Sequence, residues 1–418
     1  MGQIMQVSRR VFSLGLAAAG LSACVGGGGG ARVVGQSITE PGMTPVANAG
    51  YDGWVSAFTS RAAAKGIPQG TIDAAFRSAG FLPGVIERDR NQTEFKRSLE
   101  DYLSIAASDE RLSTGAAAMN QYGGVLNAVE ARYGVEGNIV AAVWGLESFF
   151  GTRRGSVPVI AALSTLAYEG RRAAFFEEQL IASLRILQNG DTTPANMVGS
   201  WAGAMGHTQF IPTSYLSLAV DFNGDGRRDI WSDDPTDSLA STANYLAKSG
   251  WTRGLPWGVE VTVPAGYAGP SGRGNGRSAS VWSASGIRAA SGGNLPAAAS
   301  SLILPAGASG PGFLITSNFN AILRYNNAEN YAIGVGHLSD RLRGGGPVRG
   351  TFPPDEFGLT KAQRQSLQQR LTNAGFDTGG TDGVIGNKTK AAISAYQTAR
   401  GSAVTGTPSL DLLRALGG

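Results

Sequence analysis

The chain is poor in several residue types that would point to particular chemistries. It has one cysteine, Cys24, in 418 residues, so no intramolecular disulfide can staple it. It has two histidines, and only 16% of its residues are charged. Its 35 Lys and Arg against 31 Asp and Glu give a formal net charge of +4, small for this length. The bases are spread along the chain with no dense run, which argues against nucleic acid as a partner. The sequence pI near 9.2 reflects that slight excess and no polyanion site. Beyond the first two dozen residues no run is long and apolar enough to cross a bilayer.

What is present begins with a targeting segment. Arg9 and Arg10 precede the apolar run "VFSLGLAAAGLSA", too short to span as a mature helix and ending in small residues. "SRRVF" resembles a twin-arginine export signal, and "LSAC" resembles a bacterial lipobox in which Cys24 is acylated after cleavage. An ordinary signal peptide that happens to contain a cysteine is the alternative. Against it, Cys24 sits where a lipobox needs it, and a lone free thiol is odd in an exported protein. Residues 1–24 therefore read as the signal, and 25–49, opening on "VGGGGG", as a flexible tether. Val25, not the Asp associated with inner-membrane retention, follows Cys24. In a diderm cell the expectation is a periplasmic protein with its lipid anchor in the outer membrane.

With 418 residues the chain can hold two or three units with real cores. Helical spacing dominates from about residue 50 to Trp251, as in "YDGWVSAFTSRAAAKG" and "FFEEQLIASLRILQNG". From about 257 the texture becomes strand-like, in "WGVEVTVPAG" and "GFLITSN", with Gly/Ser/Ala-rich loops between. Helical character returns in "AILRYNNAENYAIGVGHLSDRL". "RGGGPVRGTFPPD" reads as a linker. The expected class is α+β, mainly helical: a large domain over 50–343, a Gly/Pro linker over 344–356, and a small helical module over 357–418.

One helix poses a chemical problem. In "GNIVAAVWGLESFFG" the residues Ile139, Val143, Glu147 and Phe150 share a face, so a carboxyl points with the apolar stripe. Desolvation raises a carboxyl pKa, which suits a general acid that must keep its proton near neutral pH. A Glu at the edge of the stripe, paired with Arg153 or Arg154, explains the helix by itself slightly better. Gly151 favours the catalytic reading, because a helix stop there leaves the carboxyl at the rim of a cleft.

Three segments settle the preference by resemblance. "VWGLESFFGTRRGSVPVIAALSTLAY", "GSWAGAMGHTQFIPTSYLSLAVDFNGDGRRDIW" and "NFNAILRYNNAENYAIGVGHLSDRL" are similar, in this order, to the lytic murein transglycosylases of the MltB type. The resemblance implies a lysozyme-like domain with a small β-containing subdomain, and it maps the family's single catalytic Glu onto Glu147. It implies non-hydrolytic cleavage of peptidoglycan glycan strands between N-acetylmuramic acid and N-acetylglucosamine. Glu147 would protonate the glycosidic oxygen and then take the proton of the muramic C6 hydroxyl, which closes onto C1 as a 1,6-anhydro ring. Most glycosidases use two carboxylates. Here the next acid, Glu169, is far along the chain, which is compatible with one carboxylate acting twice.

The same resemblance places Ser200, Gln209, Asn326 and Tyr331 in the sugar-binding groove, where hydroxyl and amide groups bond saccharide oxygens and Tyr331 offers a flat face. The small residues Ala202, Gly203 and Ala204 read as packing. "DFNGDGRRDIW" is a separate signal: Asp221, Asn223 and Asp225 stand at positions one, three and five of an EF-hand loop, with Gly226 at six. Arg227 would give a backbone carbonyl at seven and Asp229 falls at nine, but Ser232 replaces the bidentate Glu at twelve. The family carries a calcium site here with a later Asp as ligand. Asp237 is the best match, with Asp233 and Asp234 crowding the same region, and a carboxylate-rich turn without metal is the alternative. Such calcium would be structural; the chemistry needs no cofactor.

The tail, above all "GTDGVIGNKTKAAISAYQ", resembles the three-helix peptidoglycan-binding domain of cell-wall enzymes. In it Leu367, Leu371, Ile393 and Tyr396 read as core. A hydrolytic muramidase, or a non-catalytic peptidoglycan-binding lipoprotein, would share many of these features.

Overall fold

The computed structural model describes residues 42–91 and 98–417; the signal, Cys24 and most of the tether lie outside them. Among the described residues helices dominate and strands are few and short, in accord with the α+β, mainly helical class. The helix expected around Tyr51 runs Ala49–Ala64, capped by Asn48, whose side chain accepts from the Tyr51 amide at 3.0 Å. "FFEEQLIASLRILQN" lies within Ala173–Asn189, which left-handed Gly190 terminates.

The organising element is the helix Gly137–Ser148. Every residue of it except Leu146 is buried, so it is a helix enclosed on all sides and not the one-sided stripe its spacing implied. The helices Asp109–Gln121, Gly123–Tyr133, Thr236–Lys248 and Glu329–Leu342 pack around it. Its first turn has no side-chain cap; instead the Gly137 amide donates to the Glu130 carboxylate at 2.9 Å.

The strand-like region forms a four-stranded antiparallel sheet in the order Arg288–Ala289, Gly258–Thr262, Gly312–Ile315, Ser301–Ile303. All four residues of Gly312–Ile315 are buried because both faces are covered. Phe313 and Ile315 join the main core, whereas Leu314 turns to a satellite core with Val261, Trp282, Ile287 and Leu302. A second, two-stranded pairing joins Val157–Pro158 to Val198–Gly199 and brings the segment after residue 199 to the end of the central helix.

The tail consists of the helices Lys361–Asn373, Asn387–Ala399 and Leu410–Ala415. Its separate core contains Leu367, Leu371, Ile393 and Tyr396, as expected. Between the two bodies the chain has no helix or strand, yet it is fastened. The Glu260 carboxylate accepts the amides of Arg349 and Gly350, the latter at 2.6 Å. Arg364, 1% exposed, donates to Glu100 at 2.9 Å and Asp101 at 2.8 Å on the helix Leu99–Ala106, and to Asp355 at 3.2 Å. Lys361 adds a bond to the Ser104 hydroxyl at 2.6 Å.

Candidate active site

Glu147 is 9% exposed and stands one residue from the end of its helix. The chain then turns through three left-handed residues, Phe149, Phe150 and Gly151, with φ of 52°, 55° and 86°. For the two phenylalanines that conformation costs about 1–2 kcal/mol each. Aromatic and cationic contacts offset it: the guanidinium carbons of Arg111 and Arg153 lie 4.9 and 4.4 Å from the Phe149 ring, and Phe150 meets Trp144 edge-on. Position 151 must be glycine for a second reason, since a Cβ there would collide with the His207 ring.

Tyr331, from the helix Glu329–Leu342, donates its hydroxyl to Oε1 of Glu147 at 2.7 Å. Burial, and then the Glu147 charge, hold the phenol well above its usual pKa, so it stays a donor at neutral pH. The Tyr331 ring is only 6% exposed, which leaves little of the flat face that the sequence suggested for a sugar. The cations expected to neutralise Glu147 in a structural pair are engaged elsewhere. Arg154 binds Asp233 at 2.7 Å and the Trp231 carbonyl at 3.1 Å, and Arg153 lies over Phe149. Glu169, the next acid in the sequence, pairs with Arg90 at 3.1 Å.

Ser200 and Gln209 sit on one folded segment tied by bridges from Gly199 to Met205 and from Met205 to Phe210. The Ser200 hydroxyl accepts from the Ala204 amide at 3.0 Å and keeps its own proton to donate. Gln209, left-handed at φ 53°, donates its amide nitrogen to the carbonyls of Arg154 (2.9 Å) and Gly206 (2.8 Å). Its carbonyl oxygen remains, so Gln209 can meet a ligand as an acceptor. Asn326 caps the helix Ser317–Tyr325 and its Oδ1 accepts from the Ala328 amide at 3.2 Å. Ala202 and Ala204 are buried, and left-handed Gly203 packs on Leu163, in line with the packing reading.

Residues that sequence reasoning passed over join these pieces. His207 accepts from the Trp144 indole at 3.1 Å through Nδ1, so its proton is on Nε2, 2.8 Å from the Ser232 carbonyl. Burial lowers its pKa and keeps it neutral. Ser148 donates to the His207 carbonyl at 2.5 Å, and Tyr325 to the Thr208 carbonyl at 2.5 Å. The Glu147 helix, the Gln209 segment and the Asn326 turn are thereby joined through neighbours of the groove residues. A signal was available: His207 is one of two histidines and lies inside "GHTQF". Beside this junction opens a cavity of about 280 Å³, lined by Tyr122, Trp144, Phe150, Arg154, His207 and Asp233 among others, but by none of the five predicted site residues.

The Asp221 loop is knit by its own side chains. Asp221 accepts the Gly224 and Gly226 amides at 2.7 and 2.8 Å, Asn223 the Asp225 amide at 3.0 Å, and Asp225 the Arg227 amide at 2.9 Å. Asp237, 2% exposed, turns into the same loop and accepts the Phe222 and Asp229 amides at 2.8 and 2.9 Å. Asp229 instead accepts from Trp231 and Ser232, and Asp234 from Thr236. Among the described residues no three His, Cys, Asp or Glu side chains converge as a ready metal cluster. Asp237 nevertheless suits a hard cation: it is a buried carboxyl, and among the described residues no Arg or Lys side chain bonds it.

Comparison with known proteins identifies the family. Residues 50–340 match the model of the transglycosylase SLT domain, and residues 360–416 that of a peptidoglycan binding domain. The membrane-bound lytic murein transglycosylase B of Escherichia coli is 35% identical over 234 residues, 56% of this chain and 64% of that protein. The chain thus spans less than two thirds of that relative. SltB3 of Pseudomonas aeruginosa, solved in complex with NAG-anhNAM-pentapeptide, is 45% identical with a TM-score of 0.72, covering 89% of this chain and 100% of SltB3. The E. coli lytic transglycosylase Slt35, solved in complex with calcium, is 29% identical with a TM-score of 0.60, covering 71% of this chain and 93% of Slt35. A lysozyme-like body followed by a three-helix module is thus matched along most of its length: the chain belongs to the transglycosylase SLT domain family, as an MltB-type member with a C-terminal peptidoglycan-binding domain.

Proposed function

We propose that the protein is a peptidoglycan lytic transglycosylase, cutting the β-1,4 bond between N-acetylmuramic acid and N-acetylglucosamine without water. The observation that carries this is the buried Glu147 carboxyl in the last turn of an enclosed helix, hydrogen-bonded to Tyr331. In the proposed reaction Glu147 starts protonated, as the general acid. It gives its proton to the glycosidic oxygen, and the bond from C1 to that oxygen breaks. The muramic C6 oxygen then bonds to C1, and its proton passes to Glu147, which is restored. The Ser200 hydroxyl, the Gln209 carbonyl and the Asn326 amide hold the sugars on either side. SltB3 complexes with NAG-NAM-pentapeptide and NAG-anhNAM-pentapeptide support the substrate class.

The remaining assignments belong to the same reading. Residues 50–343 catalyse, 344–356 link, and 357–418 bind the polymer and raise its local concentration. Asp221, Asn223, Asp225, the Arg227 carbonyl and Asp237 hold a structural calcium ion that braces the loop beside the groove. Residues 1–24 direct export, and acylated Cys24 anchors the chain in the outer membrane through the 25–49 tether; E. coli transglycosylase B is membrane-bound. Among the described residues no helix is long and apolar enough to cross a membrane.

The test is digestion of purified sacculi followed by mass spectrometry of the released muropeptides. Anhydro ends, lighter by one water than hydrolytic ends, are expected, and Glu147→Gln abolishes release while keeping sacculus binding. Reducing ends would make the protein a muramidase. No release by the unaltered protein would leave only a binding function.

A further inference from the structure

We infer that Arg111 is the positioning residue for Glu147, an inference that rests on the reading of Glu147 as the acid. Arg111 is 2% exposed, on the helix Asp109–Gln121, and among the described residues no carboxylate lies within ion-pair distance of it. A buried charge without a counter-ion is costly unless other groups replace the lost water. Burial pulls its pKa down to about 10, which still leaves it charged at neutral pH.

Two helix ends replace the counter-ion. Nε donates to the Gly145 carbonyl at 3.2 Å, in the last turn of the Glu147 helix, and Nη1 to the Ile105 carbonyl, in the last turn of Leu99–Ala106. Helix C-termini carry partial negative charge and unsatisfied carbonyls, so both acceptors suit a cation. The flat face of the guanidinium meets the Phe149 ring at 4.9 Å. Gly145 and Phe149 bracket Glu147 two residues to either side, and the Phe149 amide donates back to the same Gly145 carbonyl at 3.1 Å. One planar group therefore grips both ends of the turn that aims the carboxyl. A methionine could fill the volume but would hold neither carbonyl; a lysine has no planar fork to hold two carbonyls while stacking on the ring.

The comparison uses the unaltered protein, Arg111→Met, Arg111→Lys and Phe149→Leu, acting on a purified soluble tetrasaccharide from peptidoglycan. Misplacing an acid by an ångström lowers turnover by up to about a hundred-fold. Arg111→Met is therefore expected to lower kcat roughly 10- to 100-fold, with KM within about two-fold of the unaltered value. Arg111→Lys and Phe149→Leu fall between. Tetrasaccharide affinity in a Glu147→Gln background is expected to be unchanged by Arg111→Met. Crystal structures supply a readout independent of turnover: in Arg111→Met or Arg111→Lys the Glu147 to Tyr331 bond is expected to lengthen or break. An unchanged kcat per folded molecule, a rise in KM that matches the loss, or an intact Glu147–Tyr331 bond in both Arg111 variants would each overturn the inference. Should products carry reducing ends, the transglycosylase reading falls while the kcat comparison still decides the role of Arg111. Should there be no turnover at all, the crystallographic arm decides it.

Discussion

The hydroxyl of Tyr331 donates to Oε1 of Glu147 across 2.7 Å, joining residues 184 apart in the sequence. The bond fixes the direction in which the carboxyl points. Hydrogen bonds to charged groups contribute about 1.5–3 kcal/mol. Tyr331→Phe is accordingly expected to lower kcat on a soluble glycan about ten-fold and to lower the melting temperature by several degrees. An unchanged kcat would reduce Tyr331 to a packing role.

Stability should depend on pH through His337. It is 9% exposed, and burial followed by the Arg341 charge lowers its pKa to about 4, against about 6.5 in an unfolded chain. The unfolded state therefore binds the extra proton first as pH falls. The contribution is complete above pH about 6.5 and is lost progressively down to about 4, with a magnitude of about 3 kcal/mol. His207 acts in the same direction. Denaturation of the unaltered protein and His337→Gln at pH 7.5, 5.5 and 4.5 checks this. The unaltered protein should lose more stability over that span than the variant, and parallel curves would refute it.

Calcium should stabilise the chain if the Asp221 loop holds it. A ligand that binds only the native state raises the melting temperature with its concentration. Chelator-stripped protein is expected to melt higher on addition of calcium, and Asp237→Asn to show no such rise. A null response from the unaltered protein would leave a carboxylate-rich turn that its amides alone satisfy.

The contact between tail and catalytic body is expected to be protease-sensitive when its carboxylates are removed. Glu100→Gln with Asp101→Asn deletes two of the three acids around Arg364 without touching the tail core. Cleavage within 344–356 should then accelerate at least several-fold under limited proteolysis, with both fragments intact. Arg364→Met should be more damaging, destabilising by about 3 kcal/mol or more, because it strands three carboxylates and two carbonyls at once.

Much of the fold was legible because local patterns were unambiguous. Helical spacing found Ala49–Ala64 and Ala173–Asn189, and alternation found Gly258–Thr262 and Gly312–Ile315. The tail core was legible through the tail's resemblance to a peptidoglycan-binding domain. At the site, helical periodicity identified Glu147 as an anomaly but misjudged its setting. A period of 3.6 shows one apolar face and cannot reveal that four neighbouring helices enclose the rest. Arg111 was illegible for a related reason. On its own helix it is an ordinary surface-like Arg, and its meaning comes from two carbonyls at the ends of other helices. The Gln209 amide orientation was hidden likewise, since its acceptors are backbone atoms.

The fastened linker changes what the tail can do for the enzyme. A loose tether lets a binding module search a sphere whose radius follows linker length. Here Glu260 grips residues 349 and 350, and Glu100 and Asp101 grip Arg364, so the offset between the module and Glu147 is set by protein shape. On the proposed function the chain would act as a caliper, cutting the glycan at a distance from the bound module that the protein's own shape sets.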